Sequence, residues 1–447
     1  MIDAHLDGRA LSAPEQRALD ALDEDGLLDF LERLVAIPSL DGAETDSQRF
    51  VAAWLADAGL EADVWPIDLE QLALHPLYGA EVERTEALGL VGWTGRPAGG
   101  RPGARGGGRD LMLNGHIDVV PPGDLAAWTT PPWEPALRDG RLYGRGAVDM
   151  KGGLCCALFA VKAVHDAGVK LSGRLSVASV VGEEDGGTGT LATLLRGHTA
   201  HGAVVVEPTS LSVVAAQAGS LMFRLVVPGA SAHGCVREEG VSAIEKFLPL
   251  FAALRALEAE RCGVVHGDAP AAGVPADRLF ARYRLPWPIE IGTLRAGDWA
   301  SSVPESLVAE GRYGVAVGED PADAAEAFEA AVARAAAADE WLAAHPPLVE
   351  WWGGRFDPAL TDVADPIVTT LVDAVGSVTG LPAPVGAVTY GADMRLLVNE
   401  GGIPTVLFGP GDVRAAHMPD EYVPVAELRV AARTLILAAL RFCGVEE

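Results

Sequence analysis

A histidine and a carboxylate lie two residues apart in the segment Asn114-Gly-His-Ile-Asp118. The apolar residues 111–113 precede them and predict a buried strand that ends at the edge of a sheet. Because side chains alternate along a strand, His116 and Asp118 are expected to point to the same side. A carboxylate beside a histidine can fix its tautomer while the other ring nitrogen binds a metal ion. The pair also fits an ordinary strand-end histidine hydrogen-bonded to its neighbour, so the downstream residues decide between the two interpretations.

Further acids and a second histidine follow later predicted strands and glycine-rich turns. The complete set of these polar residues is His116, Asp118, Asp149, Glu183, Glu184, Glu207 and His417. Carboxylates gathered at one edge of a sheet repel each other unless cations neutralise them. Two metal ions that share one carboxylate would use five of these side chains and leave two for other work. Nitrogen and oxygen ligands without thiolates favour zinc, with cobalt or manganese as substitutes.

The adjacent acids Glu183 and Glu184 indicate a division of roles. Two neighbouring residues cannot contact one ion equally, so one would bind the metal while the other accepts a proton from water. A water molecule between two metal ions ~3.5–4 Å apart is activated as a nucleophile. The expected chemistry is therefore metal-assisted hydrolysis.

The composition limits the classes of partner. At 447 residues the chain exceeds a single ordinary hydrophobic core, and its 49% apolar content is that of a globular protein. A formal net charge of −28 disfavours nucleic acid and anionic membranes as partners. The N-terminal residues lack the apolar segment of a signal peptide, and no apolar run approaches the ~18 residues that span a bilayer. Five scattered cysteines without zinc-ribbon spacing favour a cytoplasmic location.

Strands that alternate with helices predict an α/β fold with a mostly parallel sheet, and the acids lie at the carboxyl ends of its strands. Between residues 213 and 353 the pattern changes to β-α-β-β-α-β, which is typical of a ferredoxin-like α+β domain. We therefore expect a catalytic domain formed by residues 1–212 and 354–447, and an inserted domain formed by residues 213–353.

Three segments outside these motifs carry simpler predictions. The alanine-rich segment Pro321–Ala344 predicts one long helix in the insert. Residues 1–24 predict a polar extension that packs on the surface. Residues 94–110 are rich in glycine and arginine and predict a flexible loop without a catalytic role.

Six segments of the chain, taken in order, resemble the co-catalytic zinc amidohydrolases. The six are Asn114-Gly-His-Ile-Asp118, Gly144-Arg-Gly-Ala-Val-Asp-Met-Lys-Gly-Gly153, Gly182-Glu-Glu-Asp-Gly-Gly187, Glu207-Pro-Thr209, Gly229-Ala-Ser-Ala-His-Gly234 and Ala416-His-Met-Pro-Asp-Glu421. That family contains acetylornithine deacetylase, succinyl-diaminopimelate desuccinylase, aminoacylase-1 and the glutamate carboxypeptidases. The resemblance covers almost the whole chain beyond about residue 24. It implies a zinc-hydrolase domain with an inserted lid domain, through which the family usually forms homodimers.

The resemblance also implies a metal-ligand set of five residues. His116 and Glu207 match the ligands of one zinc ion, and Glu184 and His417 match those of the other. Asp149 matches the carboxylate that bridges the two ions. The implied cofactors are two Zn²⁺ ions, with Co²⁺ or Mn²⁺ as possible substitutes.

Three further residues match catalytic positions of the family. Glu183 matches the general base, and Asp118 matches the carboxylate that orients His116. His233 matches a lid histidine that reaches into the active site of the partner subunit and stabilises the oxyanion. Without the resemblance, His233 fits a plain loop histidine beside Gly234 equally well.

Two arginines match positions that bind the substrate carboxylate in the desuccinylase branch. Arg312 lies in a strand of the insert, and Arg395 lies in the segment Gly391-Ala-Asp-Met-Arg395. Arginine suits this task because its planar fork binds a carboxylate through two hydrogen bonds. Each residue also fits a surface ion pair. The chain departs from the family at Ser301-Ser-Val-Pro304, where an asparagine often precedes Val-Pro, and this leaves the acyl specificity open.

The leading hypothesis is a dinuclear zinc hydrolase that cleaves the amide of an N-acyl amino acid or related small molecule. A dipeptidase or a glutamate-type carboxypeptidase is the alternative within the same chemistry. A non-catalytic metal-dependent binding protein is the alternative from another class, but it does not explain why Glu183 and the whole ligand set are present. A serine hydrolase is disfavoured because the chain has no Gly-x-Ser-x-Gly motif.

Overall fold

The computed structural model of the chain describes residues 10–96, 108–266 and 276–446. The chain divides into two compact units. Unit 1 comprises Met1–Ala215, Leu360–Gly386 and Ala392–Glu447, and unit 2 comprises Ala216–Ala359 and Ala387–Gly391. The prediction had placed the insert at residues 213–353, and no sequence signal had indicated that Ala387–Gly391 is part of unit 2. Most of the predicted loop 94–110 lies outside the described residues.

The helices and strands alternate along much of the chain. The helices are α1 (Ala13–Asp20), α2 (Glu24–Val35), α3 (Thr45–Asp57), α4 (Leu69–Leu72), α5 (Gly152–Asp166), α6 (Thr188–Leu195), α7 (Ala243–His266), α8 (Ala276–Phe280), α9 (Pro321–Ala337), α10 (Glu340–Ala344), α11 (Pro366–Thr379) and α12 (Val425–Cys443). The strands are β1 (Glu61–Pro66), β2 (Leu88–Gly95), β3 (Leu111–His116), β4 (Ala136–Arg138), β5 (Arg141–Tyr143), β6 (Arg174–Val180), β7 (Gly202–Val205), β8 (Val213–Gln217), β9 (Gly219–Pro228), β10 (Ile289–Ala296), β11 (Ser306–Val315), β12 (Leu348–Phe356), β13 (Ala359–Leu360), β14 (Val385–Val388), β15 (Thr405–Leu407) and β16 (Tyr422–Pro424).

Unit 1 is built on a sheet in which the strands β1, β2, β6, β3, β7, β15 and β8 lie side by side in that order. The central strands β6, β3, β7 and β15 are parallel to one another. The outer strands are antiparallel: β2 pairs with β6 and with β1 on one side, and β8 pairs with β15 on the other. Every residue of β3 is buried, as expected for a strand covered on both faces. The predicted mostly parallel α/β sheet is therefore confirmed, and the carboxyl ends of its central strands share one edge.

Helix α5 forms the centre of the helical layer in unit 1 and packs against α12 and β3. Its residues Gly152–Val161 are all buried. Gly153 permits a very close approach to the sheet, since a Cβ atom at this position would lie 1.9 Å from the carbonyl oxygen of Val206. This contact holds the start of α5, and the turn that precedes it, against the carboxyl edge of the sheet.

Helix α1 corrects the prediction that residues 1–24 form only a polar extension. Ser12 accepts a hydrogen bond from the backbone N–H of Glu15, and Glu15 accepts one from the backbone N–H of Ser12. Ala18 and Leu19 are buried, and Glu15 pairs with Arg441 at 2.7 Å. The Ser-x-x-Glu capping box was readable in the sequence, but the helix is too short to show a clear apolar periodicity.

Unit 2 is a four-stranded antiparallel sheet in the order β10-β11-β9-β12, with α7 and α9 packed on it. Its chain order β9-α7-β10-β11-α9-β12 is the predicted ferredoxin-like pattern. Its core is mainly aliphatic and contains a cluster of aromatic side chains. The ring of Phe328 lies 4.6 Å from that of Phe223 and 5.2 Å from that of Tyr313. All three side chains are fully buried.

The predicted single helix Pro321–Ala344 was wrong, because the helix breaks after Ala337 and restarts as α10. Asp339 causes the restart, since its carboxylate accepts hydrogen bonds from the backbone N–H groups of Trp341 and Leu342. The same carboxylate also pairs with Lys246 of α7 at 2.8 Å. None of the helices in the described ranges combines the length and the apolar composition needed to cross a lipid bilayer.

Candidate active site

His116 ends β3 and is almost completely buried, with 1% of its surface exposed. Its Nδ1 atom lies 3.0 Å from the backbone carbonyl oxygen of Asp118 and 3.8 Å from the nearer oxygen of the Asp118 carboxylate. Because a carbonyl oxygen can only accept, Nδ1 carries the proton and Nε2 faces the other way. Nε2 lies 3.1 Å from Oδ1 of Asp149. The orientation of His116 is thus fixed mainly by a backbone carbonyl rather than by the side chain that the sequence had indicated.

Asp149 lies in an irregular turn between β5 and α5, where its backbone angles are not helical. Its two carboxylate oxygens face two different histidines. Oδ1 lies 3.1 Å from Nε2 of His116, and Oδ2 lies 3.5 Å from Nε2 of His417. A carboxylate that is shared in this way has the arrangement expected of a bridge between two cations.

His417 belongs to a loop between β15 and β16 and completes the second half of the cluster. Its Nε2 atom lies 3.0 Å from Oε1 of Glu184. Its backbone has a φ of +61°, a left-handed conformation that a non-glycine residue adopts at a cost of ~1–3 kcal/mol. Its side chain remains 52% exposed, so the cluster is open to solvent at His417.

Glu183 and Glu184 lie in a tight turn that follows β6. Gly182 and Gly187 have φ values of +65° and +82°, which residues with a Cβ atom rarely adopt. The N–H of Gly187 donates to the carbonyl oxygen of Gly182 at 2.7 Å and closes the turn. The N–H of Glu184 donates to the carboxylate of Asp118 at 3.0 Å. Asp118 therefore joins this turn to the end of β3.

Two overlapping groups of side chains could each hold a metal ion. Possible ligand atoms within 4.8 Å of one another occur in His116, Asp149 and Glu184, and again in His116, Glu183 and Glu207. All the donors are nitrogen or carboxylate oxygen, which suits zinc, cobalt or manganese. Within the described part of the chain, Oε1 of Glu183 is buried and accepts no hydrogen bond. An unsatisfied buried carboxylate oxygen is expected where a cation or its water molecule completes the site.

The histidines of the cluster strongly favour their protonated forms when no cation is present. Burial by itself lowers the pKa of His116, but the charge of Asp118 and the hydrogen bond with Asp149 raise it well above its ordinary value. The hydrogen bond with Glu184 raises the pKa of His417 to about 9. Two protons thus take the place that positive metal ions would have between these acids.

The pKa values of the acids in the cluster differ according to their neighbours. Burial raises the pKa of Glu183 well above its ordinary value, and the charges of Asp393 and Glu207 raise it further. Burial and the charge of Asp149 likewise raise the pKa of Glu207. Burial also favours a high pKa for Asp149, but the hydrogen bond and charge of His116 bring it below its ordinary value. Asp149 therefore ionises more readily than Glu183 and Glu207.

Two buried residues that the sequence analysis did not single out hold the backbone around Asp149. Glu421 accepts hydrogen bonds from the N–H groups of Val148 and Asp149 at 3.0 and 3.2 Å. Its other oxygen pairs with Arg145 at 2.5 Å. Because Glu421 is four residues after His417, this pair links the loops that carry Asp149 and His417. Both residues lie inside the quoted motifs, but only their contacts identify this role.

Lys151 holds the same turn from the other side. Its ammonium group is fully buried and donates to the carbonyl oxygens of Leu34 and Ile37 at 3.0 and 2.9 Å. These carbonyls lie at the C-terminal end of α2 and in the loop beyond it, where a cation is favourable. Burial lowers the pKa of Lys151 to about 7.

The remaining predicted site residues have surroundings of different kinds. In unit 2, His233 is exposed and its Nδ1 atom accepts a hydrogen bond from the N–H of Cys235 at 3.1 Å. Arg312, also in unit 2, is partly buried and donates to the carbonyl oxygen of Thr389 at 3.2 Å. In unit 1, Arg395 is only 2% exposed and donates to the carbonyl oxygen of Gly186 at 2.8 Å.

A known protein family matches most of the chain. Residues 112–441 match the family model described as peptidase family M20/M25/M40. The chain is 29% identical over 446 residues to N-formyl-4-amino-5-aminomethyl-2-methylpyrimidine deformylase of Halalkalibacterium halodurans, with 94% of this chain and 95% of the relative covered. It is 31% identical over 350 residues to acetylornithine deacetylase of Myxococcus xanthus, with 76% and 83% covered.

A solved structure shares the fold. The dipeptidase Dug1p of Saccharomyces cerevisiae superposes with a TM-score of 0.71 at 14% sequence identity. The superposition covers 97% of this chain and 99% of the dipeptidase.

Proposed function

The chain belongs to peptidase family M20/M25/M40 and is a metal-dependent amide hydrolase, and from this premise we propose that it removes a small acyl group from an N-acylated amine. The products are a carboxylate and a free amine. An N-acyl amino acid, or a related small molecule such as an N-formylated aminomethyl heterocycle, is the substrate class. The two curated relatives described above support this choice because their names describe a deformylase and a deacetylase.

The observation that carries the proposal is the position of Asp149 between two histidines. Its Oδ1 atom faces His116 and its Oδ2 atom faces His417, at 3.1 and 3.5 Å. In the proposal one divalent cation would be held by Asp149, His116 and Glu207, and a second by Asp149, Glu184 and His417. Zinc is the proposed metal, with cobalt and manganese as substitutes. Two cations held there would lower the pKa of a water molecule and polarise the scissile carbonyl.

Glu183 is the proposed general base. It lies next to the proposed ligand Glu184, and its Oε1 atom is buried with no hydrogen bond in the described residues. Bound cations would stabilise its ionised form, which burial otherwise disfavours. Glu183 then takes a proton from the attacking water and passes it to the leaving amine. The carboxylate of Asp118 is proposed to keep the turn of Glu183 in place through the N–H of Glu184, while its backbone carbonyl oxygen orients His116.

His233 is proposed to donate a hydrogen bond to the oxyanion. Because Nδ1 of His233 accepts from the N–H of Cys235, the neutral ring carries its proton on Nε2. That proton points away from the local backbone and is available to a substrate. The side chain is exposed within its own unit, which is the condition for it to act on another surface.

The proposed partner is a second copy of the chain, so that each His233 serves the site of the other copy. Helix α7 of unit 2 supports this, because Ile244, Leu248 and Phe251 form an exposed apolar stripe on it, with exposures of 45, 59 and 39%. The strand β10 is an edge strand of the same sheet. A two-fold dimer would cover such a stripe and such an edge with the same elements of the partner.

Arg312 is the proposed ligand of a substrate carboxylate. Its guanidinium is partly buried, and in the described part of the chain no carboxylate lies within ion-pair distance of it. A buried guanidinium without an acidic neighbour suits an anionic ligand. Arg395 was expected to share this task, but its deep burial and its bond to Gly186 favour a structural role beside the catalytic turn.

The test is a hydrolysis assay of the purified protein loaded with zinc or cobalt. The panel contains N-formyl, N-acetyl and N-succinyl amino acids, an N-formylated aminomethylpyrimidine, and dipeptides, with release of the amine as the readout. Glu183→Gln serves as the control for contaminating activity. The proposal requires the acyl amides to be the better substrates. Faster hydrolysis of dipeptides would instead favour the peptidase alternative, and binding without turnover of any amide would contradict enzymatic function.

A further inference from the structure

Arg84 is buried beside the catalytic turn although it lies outside every motif discussed above. Only 1% of its side chain is exposed. Nη1 lies 2.6 Å from Oδ2 of Asp185, and Nη2 lies 2.9 Å from Oε1 of Glu44. The carboxylate of Asp41 lies 3.6 Å from Nη2. One guanidinium therefore joins three segments of unit 1 that are far apart in the sequence.

Arg84 contacts the catalytic turn on both sides of Glu183 and Glu184. Asp185 directly follows Glu183 and Glu184. At the other end of the turn, a Cβ atom on Gly182 would lie 2.5 Å from Nη2 of Arg84, so the guanidinium rests against the backbone there. The guanidinium thus contacts the residue before and the residue after the Glu183-Glu184 pair.

The segment that carries Arg84 also contacts the turn through its backbone. The N–H of Val82 donates to Oδ2 of Asp185 at 3.3 Å. A Cβ atom on Gly186 would lie 2.1 Å from the carbonyl oxygen of Gly79. These contacts show that residues 79–84 cover the turn closely, and that Asp185 is held by two donors from this segment.

A buried guanidinium is suited to fix the position of a turn. Its planar fork satisfies two carboxylates in a fixed geometry, which a flexible ammonium group cannot do. The turn itself contains three hydrogen-bonded N–H groups, of Glu184, Gly186 and Gly187. It has no regular secondary structure to hold it, so contacts from other segments must set where the Glu183 carboxylate points.

We propose that Arg84 is a positioning residue, which through Asp185 and the backbone of Gly182 holds Glu183 and Glu184 in their working geometry. This inference rests on the proposed roles of the two glutamates. It adds a catalytic requirement for a segment that precedes the region matched by the family model, residues 112–441. A displacement of ~1 Å at a catalytic group can lower a rate ~100-fold, so loss of this support should be visible in turnover.

The test compares Arg84→Lys with Arg441→Lys. Arg441 is a matched control in the same unit, since it is 7% exposed and also joins two carboxylates, Glu15 and Asp373, each at 2.7 Å. Both substitutions keep the charge and remove the fork. Three quantities are measured on the full-length, metal-loaded protein: the melting temperature, kcat and KM for the best substrate, and amide hydrogen exchange of the turn.

The expected result is a similar loss of melting temperature in both variants but a difference in the other readouts. Arg84→Lys should lower kcat by ~10-fold or more with KM changed less than ~3-fold, and the N–H groups of Glu184, Gly186 and Gly187 should exchange ~10-fold faster. Arg441→Lys should change neither. Equal effects of the two variants on kcat, or unchanged exchange in Arg84→Lys, would overturn the inference.

A second pair of variants covers the case in which Arg84→Lys does not fold. Asp185→Ala removes the acceptor of Arg84 and Val82 and should reproduce the kcat and exchange effects, whereas Asp373→Ala, at the control arginine, should not. Asp185→Asn keeps an acceptor oxygen and should recover most of the lost turnover. If the wild-type protein hydrolyses no amide in the panel, the proposed function fails, while the exchange data still decide whether Arg84 holds the turn.

Discussion

Around Asp149 each proposed functional side chain lies against a charged neighbour, whereas the side chain of His233 in unit 2 is exposed and accepts a hydrogen bond from a backbone N–H. In unit 1 the functional carboxylates are largely buried, and their charges raise the pKa values of His116 and His417, so that without a cation both histidines favour the protonated form. In unit 2 the apolar core contains neither His233 nor Arg312. The two regions therefore differ in how closely function is tied to the integrity of the fold.

This difference separates two kinds of catalytic requirement. A metal cluster needs ligands that are fixed to a fraction of an ångström, and buried ion pairs such as Arg145–Glu421 provide that fixation. A group that acts only when substrate is bound must remain free to approach it. Substitutions of the proposed metal ligands should therefore change metal content, whereas substitutions at His233 should change turnover alone.

The largest effect is expected from Asp149→Ala. Loss of the shared carboxylate removes one ligand from both cations at once, so both metal sites should weaken and turnover should fall by more than ~1000-fold. Metal analysis after dialysis should find two ions in the wild-type protein and fewer than one in the variant. Retention of a single tight ion by the variant would contradict the bridging role.

Glu183→Gln should separate catalysis from metal binding inside the cluster. Glutamine keeps the shape and one acceptor oxygen but cannot accept the proton of water, so kcat should fall by ~1000-fold, within the usual range for a general base. The metal content and KM should stay near those of the wild type. Loss of metal in this variant would mean that Glu183 and Glu184 have exchanged roles.

His233→Ala should lower kcat by ~100-fold, as expected for one oxyanion donor, while the metal content and melting temperature stay unchanged. A mixture of His233→Ala and Glu183→Ala chains should recover activity, because one site of each mixed dimer regains both groups. Verified mixed dimers that stay inactive, or a fully active monomer, would exclude action across a dimer. Leu248→Asp on the exposed stripe of α7 gives the matching test of assembly.

The smallest effect concerns the pH dependence of metal binding. His417 must lose its proton to bind a cation, and its pKa without metal is about 9. The apparent affinity should therefore rise by up to ~10-fold per pH unit for each proton released, and this contribution should level off above about pH 9. Calorimetric titration with zinc in buffers of different ionisation enthalpy measures the proton release. Affinity that is independent of pH between 7 and 9 would contradict protonation of His417.

The raised pKa of His417 also has a consequence for the stability of the metal-free protein. A histidine whose pKa is higher in the folded state stabilises that state while it is protonated. The contribution is fully present below the ordinary value of 6.5 and is lost as the pH rises through about 9. Metal binding replaces this contribution, so the metal-loaded protein should lose less stability over the same pH range.

Local signals in the sequence were sufficient to predict most helices and strands and to predict metal-assisted hydrolysis. Helix α5 and strand β3 follow from apolar runs of the right length, and the glycines of 182–187 mark a turn at a strand end. These features depend on residues that are close together in the sequence, so the sequence by itself indicates them. The short helix α1 was also encoded locally, in the capping box Ser12–Glu15, but its weak periodicity hid it.

Other features depend on residues that are distant in the sequence, and only the tertiary structure decided them. Asp339 caps the start of α10 after the alanine-rich helix has ended, and it pairs with Lys246, 93 residues away. Arg395 stays a predicted substrate ligand, but only the tertiary structure shows that it is buried and donates to Gly186. Arg84 has no motif at all, and its importance comes from carboxylates 40 and 101 residues away. The sequence thus determined which residue types are available for amide hydrolysis, whereas folding determined which of them meet, because buried charges must find partners wherever the chain brings them together.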